Sequence, residues 1–311
     1  MQALPIHRYG KPEVLTPERV PIPAVDNDKL LVKIHAAAVN PVDYKIRNGS
    51  IWFVSGFRFP KILGGDVAGV IEQAPRGSKF KVGDRVFAML DFKGGGYAQY
   101  AAIREEYLAV IPGSVSFTDA AAVPLAGLTS LQALRDLGNI REGMEVLVYG
   151  ASGGVGHLAV QIARYFGARV TAVCSGPNVD WVRQLGADVI VDYTTTPIVS
   201  TGLRFDIVYD AVAALSYYRS VKILAKGGTY ISTIPSPGVY LSHFPARING
   251  HASRAILARP SGADLEILSE MMRLGKLKPV VEQLFPLSEG AKAHHRIETG
   301  RVKGKLVLVT D

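Results

Sequence analysis

Residues 145–166 read EVLVYGASGGVGHLAVQIARYF, a short apolar run that stops in a glycine-rich turn and resumes with helical spacing. This pattern predicts a strand, a phosphate-binding loop and a helix. Gly154, Gly156 and Ala159 fit the G-x-G-x-x-A form of the dinucleotide fingerprint, and Gly150 frees the start of the turn from a Cβ atom. Because ordinary strand-to-helix turns also match so short a motif, its interpretation depends on the segments that follow.

The chain downstream of this turn repeats the alternation of strand and helix. Further strands are predicted over residues 169–174, 189–193, 205–210 and 228–233, and helices over residues 179–185 and 216–224. Parallel strands need crossover connections of about a dozen residues or more, which are usually helical. The sequence therefore predicts an α/β fold with a doubly wound parallel sheet that binds a dinucleotide.

The turn after the second strand of this sheet bears on which dinucleotide is bound. An NAD site usually has an Asp or Glu there, which binds the 2′-hydroxyl of the adenine ribose. This chain has CSGPN over residues 174–178. Without a carboxylate to repel a 2′-phosphate, we predict NADPH as the cofactor, with Ser175, Asn178 and Tyr193 as hydrogen-bonding groups. Arg183 lies on the following helix and is either a further charge partner or an exposed arginine.

Length and composition fit an enzyme of two domains. The chain has 311 residues, of which 48% are hydrophobic and 20% charged, as is typical of soluble globular enzymes. The sequence has no apolar stretch of about 18 residues and no signal-peptide pattern, which predicts a cytoplasmic, soluble protein. Cys174 is the single cysteine, which excludes an internal disulfide, and its position favours a buried strand residue over a nucleophile.

The charge balance is basic, with a formal net charge of +8, but the basic residues are scattered along the chain. We interpret this as a basic enzyme that binds an anionic cofactor, and we predict no nucleic-acid partner. A diffuse positive face also leaves peripheral contact with an anionic membrane open.

The first 120 residues have a different sequence pattern from the rest of the chain. Short β runs, such as residues 29–34, 67–72 and 86–89, are punctuated there by Gly and Pro. This pattern predicts a twisted, partly antiparallel β domain, and the change of period puts its boundary near Ala120.

Five motifs occur in one order along the chain: NPVDYK (40–45), GGDVAG (64–69), KVGDRV (81–86), PLAGLT (124–129) and GASGGVG (150–156). Together they resemble the medium-chain dehydrogenase/reductase superfamily, and within it the zinc-free branch of quinone oxidoreductases and enone or alkenal reductases. The likeness covers nearly the whole chain, and five ordered motifs are more specific than any one of them.

The resemblance implies how the two domains divide the chain. A GroES-like catalytic domain is expected over residues 1–119 and is completed by residues 253–311, and a Rossmann NADP-binding domain is expected over residues 120–252. A helix over residues 287–299 and a strand over residues 305–309 are compatible with that return. The resemblance also implies a homodimer.

The same motifs argue against a metal ion. Metal-dependent relatives hold zinc with cysteine and histidine ligands. Here the position of the first catalytic ligand falls near residues 40–43, and Gly65-Asp66 replaces the Gly-His-Glu motif, so we predict no zinc. His294 and His295 are adjacent on a predicted helix, point in different directions and are expected to be solvated.

Without zinc, reduction of an activated double bond fits the chain better than oxidation of simple alcohols. The predicted substrate is an α,β-unsaturated ketone, an alkenal or a quinone. Related reductases place the lysine of the Asn-Pro-x-Asp-x-Lys motif beside the nicotinamide ribose and the substrate oxygen, which makes Lys45 the first catalytic candidate. Lys45 is alternatively a cofactor-positioning or surface lysine, and Tyr44 is either a proton donor or a packing residue. Asn40 and Asp43 are expected to hold the loop through local hydrogen bonds.

The resemblance also implies the remaining cofactor contacts. It puts Thr129 near the nicotinamide or its phosphate, Ile234 close to the nicotinamide ribose, residues 153–155 near the pyrophosphate, and Lys305 within reach of the cofactor from the C-terminal tail. The complete predicted cofactor-binding set is Asn40, Lys45, Thr129, Ser152, Gly153, Gly154, Val155, Gly156, Cys174, Ser175, Asn178, Tyr193, Ile234 and Lys305.

An aromatic cluster follows the Lys45 motif and consists of Trp52, Phe53, Phe57 and Phe59. Trp52, Phe53 and Phe57 are predicted to line a flat, apolar substrate pocket, and core packing of at least two of the four is the alternative. Residues 238–247 either cover the site or join a dimer edge. The alternative function is NADPH binding with little turnover, with or without recruitment to an anionic membrane.

Overall fold

The computed structural model describes residues 1–25 and 28–310, so Asp26, Asn27 and Asp311 of the predicted catalytic domain lie outside the described residues. The chain divides into two compact units. Unit 1 contains residues 1–125, 260–275 and the segment from 279 onward, and unit 2 contains residues 126–259 and 276–278. The structure thus changes unit at 125/126 and 259/260, and the sequence-based boundaries at 119/120 and 252/253 stay predictions.

Unit 1 begins with a β-rich segment. Its strands are β1 (Gln2–Ala3), β2 (Pro5–Ile6), β3 (Glu18–Arg19), β4 (Lys29–Val39), β5 (Lys61–Ile62), β6 (Asp66–Gln73), β7 (Arg85–Met89), β8 (Tyr100–Arg104) and β9 (Leu108–Val110). Its helices here are α1 (Pro41–Arg47), α2 (Trp52–Ser55) and α3 (Phe117–Ala121). α4 (Pro124–Gln132) follows and is extended by a π-helical turn, Ala133–Leu137.

Unit 2 alternates strands with helices. Its strands are β10 (Glu145–Tyr149), β11 (Arg169–Cys174), β12 (Val189–Asp192), β13 (Phe205–Asp210), β14 (Leu224–Ser232) and β15 (Ala252–Ala255). Its helices after α4 are α5 (Gly156–Tyr165), α6 (Val179–Gln184), α7 (Tyr217–Ser220), α8 (Pro237–Leu241) and α9 (His243–Ile248). All strand pairs are parallel, in the order β12-β11-β10-β13-β14-β15. This is the doubly wound order, and the predicted fold class is confirmed.

One predicted helix of unit 2 is wrong over most of its length. A helix was expected over residues 216–224, but α7 has four residues and β14 already begins at Leu224. The early start follows from pairing, because Leu224 pairs with Phe205 before a register shift brings Thr229 opposite Ile207. Gly227, with φ +81°, lies within that irregularity. Local periodicity does not reveal a strand that begins before such a shift.

The chain returns to unit 1 through α10 (Gly262–Arg273), β16 (Val281–Pro286), α11 (Gly290–Glu298) and β17 (Lys305–Val309). The main sheet of the unit runs β16-β17-β4-β6-β7-β9, and β8 pairs with β4. β17 therefore lies inside this sheet, parallel to β16 and antiparallel to β4. Buried side chains of β4, β6, β17 and α11 share one core, so the late segment is an integral part of unit 1.

None of the helices in the described residues is both long enough and apolar enough to cross a membrane.

Candidate functional site

The glycine-rich turn of unit 2 joins β10 to α5 at the carboxyl edge of the parallel sheet. Gly150 has φ +81°, and a Cβ atom on Gly156 would lie 2.2 Å from the Gly150 carbonyl oxygen, so both positions require glycine. Among the residues that the structure describes, the backbone N–H groups of Gly154 and Val155 have no hydrogen-bond acceptor. Open N–H groups at the start of a helix fit the oxygens of a pyrophosphate.

Several predicted cofactor residues lie at this same edge of the sheet. The strand order reverses between β10 and β13, and ligands of doubly wound sheets bind outside the carboxyl ends at such a point. Cys174 ends β11 and Ser175 follows it, Tyr193 follows β12, and Ile234 follows β14. The structure therefore brings the turn and these residues to one edge, while their contacts with a cofactor stay predictions.

The turn after β11 is held by its own polar side chains. Asn178 donates through Nδ2 to Ser175 Oγ over 2.9 Å, and the Trp181 indole donates to Asn178 Oδ1 over 3.0 Å. Cys174 is buried, and burial raises the pKa of its thiol to about 11, so it is not a nucleophile at neutral pH. Arg183 donates to Asp180 over 3.2 Å on the exposed face of α6, in agreement with an exposed arginine.

Tyr193 presents a half-exposed ring beside this turn. The ring is nearly parallel to that of Tyr149, with 6.3 Å between centroids. The Tyr193 backbone N–H donates to the Cys174 carbonyl over 3.1 Å, which ties the end of β12 to the end of β11.

α4 carries the predicted Thr129, which is buried. The next residue, Ser130, was not singled out from the sequence, yet its hydroxyl is fully buried and lies 3.2 Å from the Val155 carbonyl oxygen and 2.9 Å from that of Ala126. Ser130 therefore ties α4 to the glycine-rich turn. A polar residue inside the PLAGLTS run was the available sequence signal.

In unit 1, α1 has an anchored face and an outward face. Asp43 and Arg47 are buried, whereas Tyr44 and Lys45 are partly exposed. The local hydrogen bond expected between Asn40 and Asp43 is present as part of a capping box, because the Asn40 N–H donates to Asp43 Oδ2 over 2.8 Å. Within the described residues, the Tyr44 hydroxyl and the Lys45 ammonium have no hydrogen-bond partner. Both groups are thus free to meet a ligand.

A buried cluster joins α1 to β6 and β17. Asn40 Nδ2 donates to Asp66 Oδ2 over 2.9 Å, and the Lys305 ammonium donates to Asn40 Oδ1 and lies 3.3 Å from Asp66 Oδ2. The Leu125 N–H donates to Asp66 Oδ1 over 2.8 Å. Burial raises the pKa of Asp66, and the Lys305 charge and these hydrogen bonds oppose that rise. The structure commits Lys305 to this cluster, and its predicted contact with a cofactor stays untested.

A second chain of contacts anchors α1 to α11. The Tyr97 hydroxyl donates to Asp43 Oδ2 over 2.9 Å and lies 3.2 Å from His294 Nε2. Arg47 lies 3.4 Å from His294 Nδ1 and forms an ion pair with Glu298. Burial raises the pKa of Asp43 to about 7 and lowers that of His294 to about 3. The prediction of a solvated His294 is wrong, because its helix face packs into unit 1.

The aromatic cluster is largely on the surface. Trp52, Phe53 and Phe57 are 51%, 71% and 67% exposed. Phe59 is partly buried and packs edge-on against Tyr9 with 5.0 Å between centroids. Core packing of at least two of the four is therefore wrong. The predicted substrate contacts of the three exposed rings are not tested by these positions.

Comparison with known proteins identifies the family to which this chain belongs. Residues 26–113 match the family described as alcohol dehydrogenase GroES-like domain, and residues 185–308 match that described as zinc-binding dehydrogenase. The chloroplastic quinone-oxidoreductase homolog of Spinacia oleracea is 34% identical over 322 residues, which cover 99% of this chain and 98% of the relative. The chain belongs to the quinone oxidoreductase and enone reductase branch of the medium-chain dehydrogenases/reductases.

Two further relatives of this oxidoreductase cover the same length of the chain. The NADPH-dependent alkenal/one oxidoreductase of Arabidopsis thaliana chloroplasts is 33% identical, over 99% of this chain and 79% of the relative. The solved quinone oxidoreductase of Coxiella burnetii is 30% identical and superposes with a TM-score of 0.91 over 100% of this chain and 99% of its own. The expected GroES-like domain and family are thus confirmed.

The name of one matching family implies zinc, and the donors at the corresponding position do not fit it. Asn40 offers an amide, and the Asp66 carboxylate already faces the Lys305 ammonium. A zinc ion there would stand beside a buried positive charge and would lack the thiolate and imidazole ligands that it prefers. Across the described residues, no group of three or more His, Cys, Asp or Glu side chains has the arrangement of a metal site.

Proposed function

We propose that this oxidoreductase is zinc-independent, takes hydride from NADPH, and delivers it to the activated C=C bond of an α,β-unsaturated carbonyl compound or to a quinone. The observation that carries the proposal is the outward face of α1. Tyr44 and Lys45 lie there without partners among the described residues, on a helix whose inner face is fixed by Asp43 and Arg47. A rigid helix can hold a cation and a hydroxyl ready for charge that develops on a substrate.

The chemistry needs little more than position and a hydrogen bond. When bound, NADPH supplies hydride to the β carbon of the enone, and the C=C electrons move toward the carbonyl oxygen as an enolate. In the proposal Lys45 donates a hydrogen bond to that oxygen and stabilises its negative charge. Tyr44 or water then gives a proton to the α carbon, so that the product is the saturated carbonyl compound.

The residues of unit 2 are proposed to hold the cofactor along the carboxyl edge of its sheet. The N–H groups of Gly154 and Val155 are proposed to bind the pyrophosphate, and their lack of an acceptor within the described residues supports this. Ser175 and Asn178, in the turn after β11, and Tyr193, directly after β12, are proposed at the adenine ribose. The Arabidopsis relative is an NADPH-dependent oxidoreductase by name, which supports the choice of cofactor.

The proposal also covers the substrate pocket, the oligomeric state and the location of the protein. The exposed rings of Trp52, Phe53 and Phe57 suit a flat apolar substrate. A homodimer and a cytoplasmic location also belong to the proposal. Supporting the enzyme over an unreactive NADPH-binding protein are the quinone oxidoreductase and alkenal reductase relatives.

The experiment that tests this function is NADPH oxidation, followed at its absorbance band, against a panel of enones, alkenals and quinones, with NADH in parallel. We expect oxidation that matches formation of the saturated product, identified by mass spectrometry. Binding of NADPH without turnover of any acceptor would overturn the enzymatic proposal in favour of a binding protein. A metal analysis of the active preparation, with activity retained after chelation, tests zinc independence.

A further inference from the structure

The end of β12 brings a carboxylate to the turn where the adenine ribose of the proposed cofactor would lie. In the parallel pairing of β11 with β12, Cys174 is opposite Asp192. The two strands therefore end side by side, and the turn over residues 174–178 is flanked by the Asp192 side chain. The sequence alone showed no acidic residue within that turn, because this one comes from the next strand.

The contact between the carboxylate and the turn is close. A Cβ atom on Gly176 would lie 2.8 Å from Asp192 Oδ2, so a side chain there would displace the carboxylate. The Gly176 backbone N–H also lies close enough to this carboxylate to help lower its pKa. A 2′-phosphate that binds this turn would compete with Asp192 for that N–H group.

The other Asp192 oxygen is held independently. Oδ1 accepts from the Thr194 N–H over 2.9 Å and from the Thr194 hydroxyl over 2.7 Å. These two bonds, with a smaller contribution from the nearby Gly176 N–H, lower the pKa of Asp192, so it is ionised at neutral pH. Thr194 fixes the carboxylate while Oδ2 faces the turn.

The cation that the sequence offered for this turn is already engaged. Arg183 pairs with Asp180 on α6. The described turn residues 174–178 carry no cation to balance a second negative charge beside Asp192, whereas a ribose 2′-hydroxyl can donate to Oδ2.

We propose that Asp192 is a coenzyme-selectivity residue, whose carboxylate favours the 2′-hydroxyl of an adenine ribose and opposes a 2′-phosphate. The proposal rests on the proposed function only in that the cofactor lies along this edge. Asp192 thereby makes the affinity ratio of NADPH to NADH smaller, so that the protein accepts both coenzymes.

The test uses the full chain with two fragments that carry no nicotinamide, 2′,5′-ADP and 5′-AMP. Calorimetry gives both dissociation constants for the wild type and for Asp192→Asn, which keeps an acceptor for Thr194 and removes the charge. We expect the affinity ratio to move about tenfold toward 2′,5′-ADP, as removal of one close like charge predicts. The kcat/KM ratio of NADPH to NADH should move in the same direction.

Two further variants keep the result interpretable. Glu142→Gln removes one exposed carboxylate from the amino end of the same sheet and should leave the ratio unchanged. Gly176→Ala keeps the charge but pushes it from the turn, and should shift the ratio as Asp192→Asn does. An unchanged fragment ratio in both Asp192→Asn and Gly176→Ala would overturn the selectivity role. Absence of turnover with every acceptor, with the fragment ratio shifted, would overturn only the proposed enzymatic function.

Discussion

The Tyr97 hydroxyl donates a hydrogen bond to Asp43 Oδ2 over 2.9 Å, and both side chains are buried. The same carboxylate oxygen accepts from the Asn40 N–H at the start of α1. One buried carboxyl group therefore links the beginning of α1 to the core of unit 1. Its protonation state affects the helix that carries Tyr44 and Lys45.

Asp43 and His294 are expected to act on stability with opposite signs. The folded pKa of Asp43 is raised from 3.8 to about 7, so its contribution is complete at low pH and is lost as pH rises through about 7. The folded pKa of His294 is lowered from 6.5 to about 3, so its contribution is complete above about 6.5 and is lost as pH falls. Between about pH 4 and 6.5 the two slopes largely cancel.

Asp43→Asn removes one of these slopes. We expect the free energy of unfolding of this variant, measured in urea at pH 4.5, 5.5 and 6.5, to rise with pH by up to about 1.4 kcal/mol per unit. The free energy of unfolding of His294→Gln should fall as pH rises over the same range. Asp180→Asn, at an exposed position, is the control and should parallel the wild type. Parallel curves for wild type and Asp43→Asn would show that the folded pKa of Asp43 is not raised above its unfolded value.

Glu298 should matter more for stability than its exposed fraction of 30% suggests. It is the ion-pair partner of Arg47, which is only 2% exposed. Because Glu298→Gln leaves a buried guanidinium without its counter-charge, we expect the variant to lose about 2 kcal/mol of unfolding free energy in urea. Glu289→Gln breaks an exposed pair with Lys292 and should lose less than about 0.5 kcal/mol. Equal effects of the two variants would contradict the buried-charge argument.

Alanine substitutions at two glycines of the turn should affect different properties, one the stability of the fold and the other the affinity for NADPH. Gly156→Ala puts a Cβ atom 2.2 Å from the Gly150 carbonyl oxygen, and should cost about 2 kcal/mol or more of stability. At Gly153 the nearest atom to an added Cβ lies 3.5 Å away, so Gly153→Ala should fold normally. If the pyrophosphate approaches this turn, the NADPH dissociation constant of Gly153→Ala rises at least about tenfold. Normal NADPH affinity in that variant would remove Gly153 from the site.

Lys45→Met should lower kcat with an enone by about a hundredfold, the usual effect of losing one donor to a developing oxyanion. The half-buried stem of Lys45 is retained in methionine, so the fold should be unaffected. Lys81→Met, at an exposed lysine with no proposed role, serves as the comparison. A raised KM for NADPH with kcat unchanged would instead make Lys45 a cofactor-positioning residue.

Much of unit 2 could be predicted because its signals are local. The glycine turn after residues 145–149, the β-branched strands and the short connections each occupy a few consecutive residues. The helix over residues 216–224 failed where a register shift in β14 replaced local periodicity. Asp192 was missed for a related reason, since only pairing of β11 with β12 puts it beside the ribose turn.

The buried network of unit 1 could not be predicted in the same way. Its members, such as Tyr97 and His294, are far apart in sequence, and polar side chains are mostly exposed in proteins, so His294 was predicted to be solvated. Conversely, Trp52 and Phe53 are hydrophobic yet exposed, because α2 is a four-residue helix in a surface segment. Residue type alone determines neither the burial of the polar network nor the exposure of these aromatic rings, because both depend on tertiary packing.

The position of β17 inside the sheet of unit 1 has a consequence for biosynthesis. Lys305 reaches Asn40 and Asp66 only after all of unit 2 has been translated, since residues 126–259 lie between them in the chain. Unit 2 is nearly continuous and can fold on emerging from the ribosome, whereas residues 36–39 of β4 must wait for β17, although β6 and β8 pair with β4 much earlier. During that interval the apolar edge of β4 is uncovered in the nascent chain, which is when a chaperone that recognises exposed strands has most to protect.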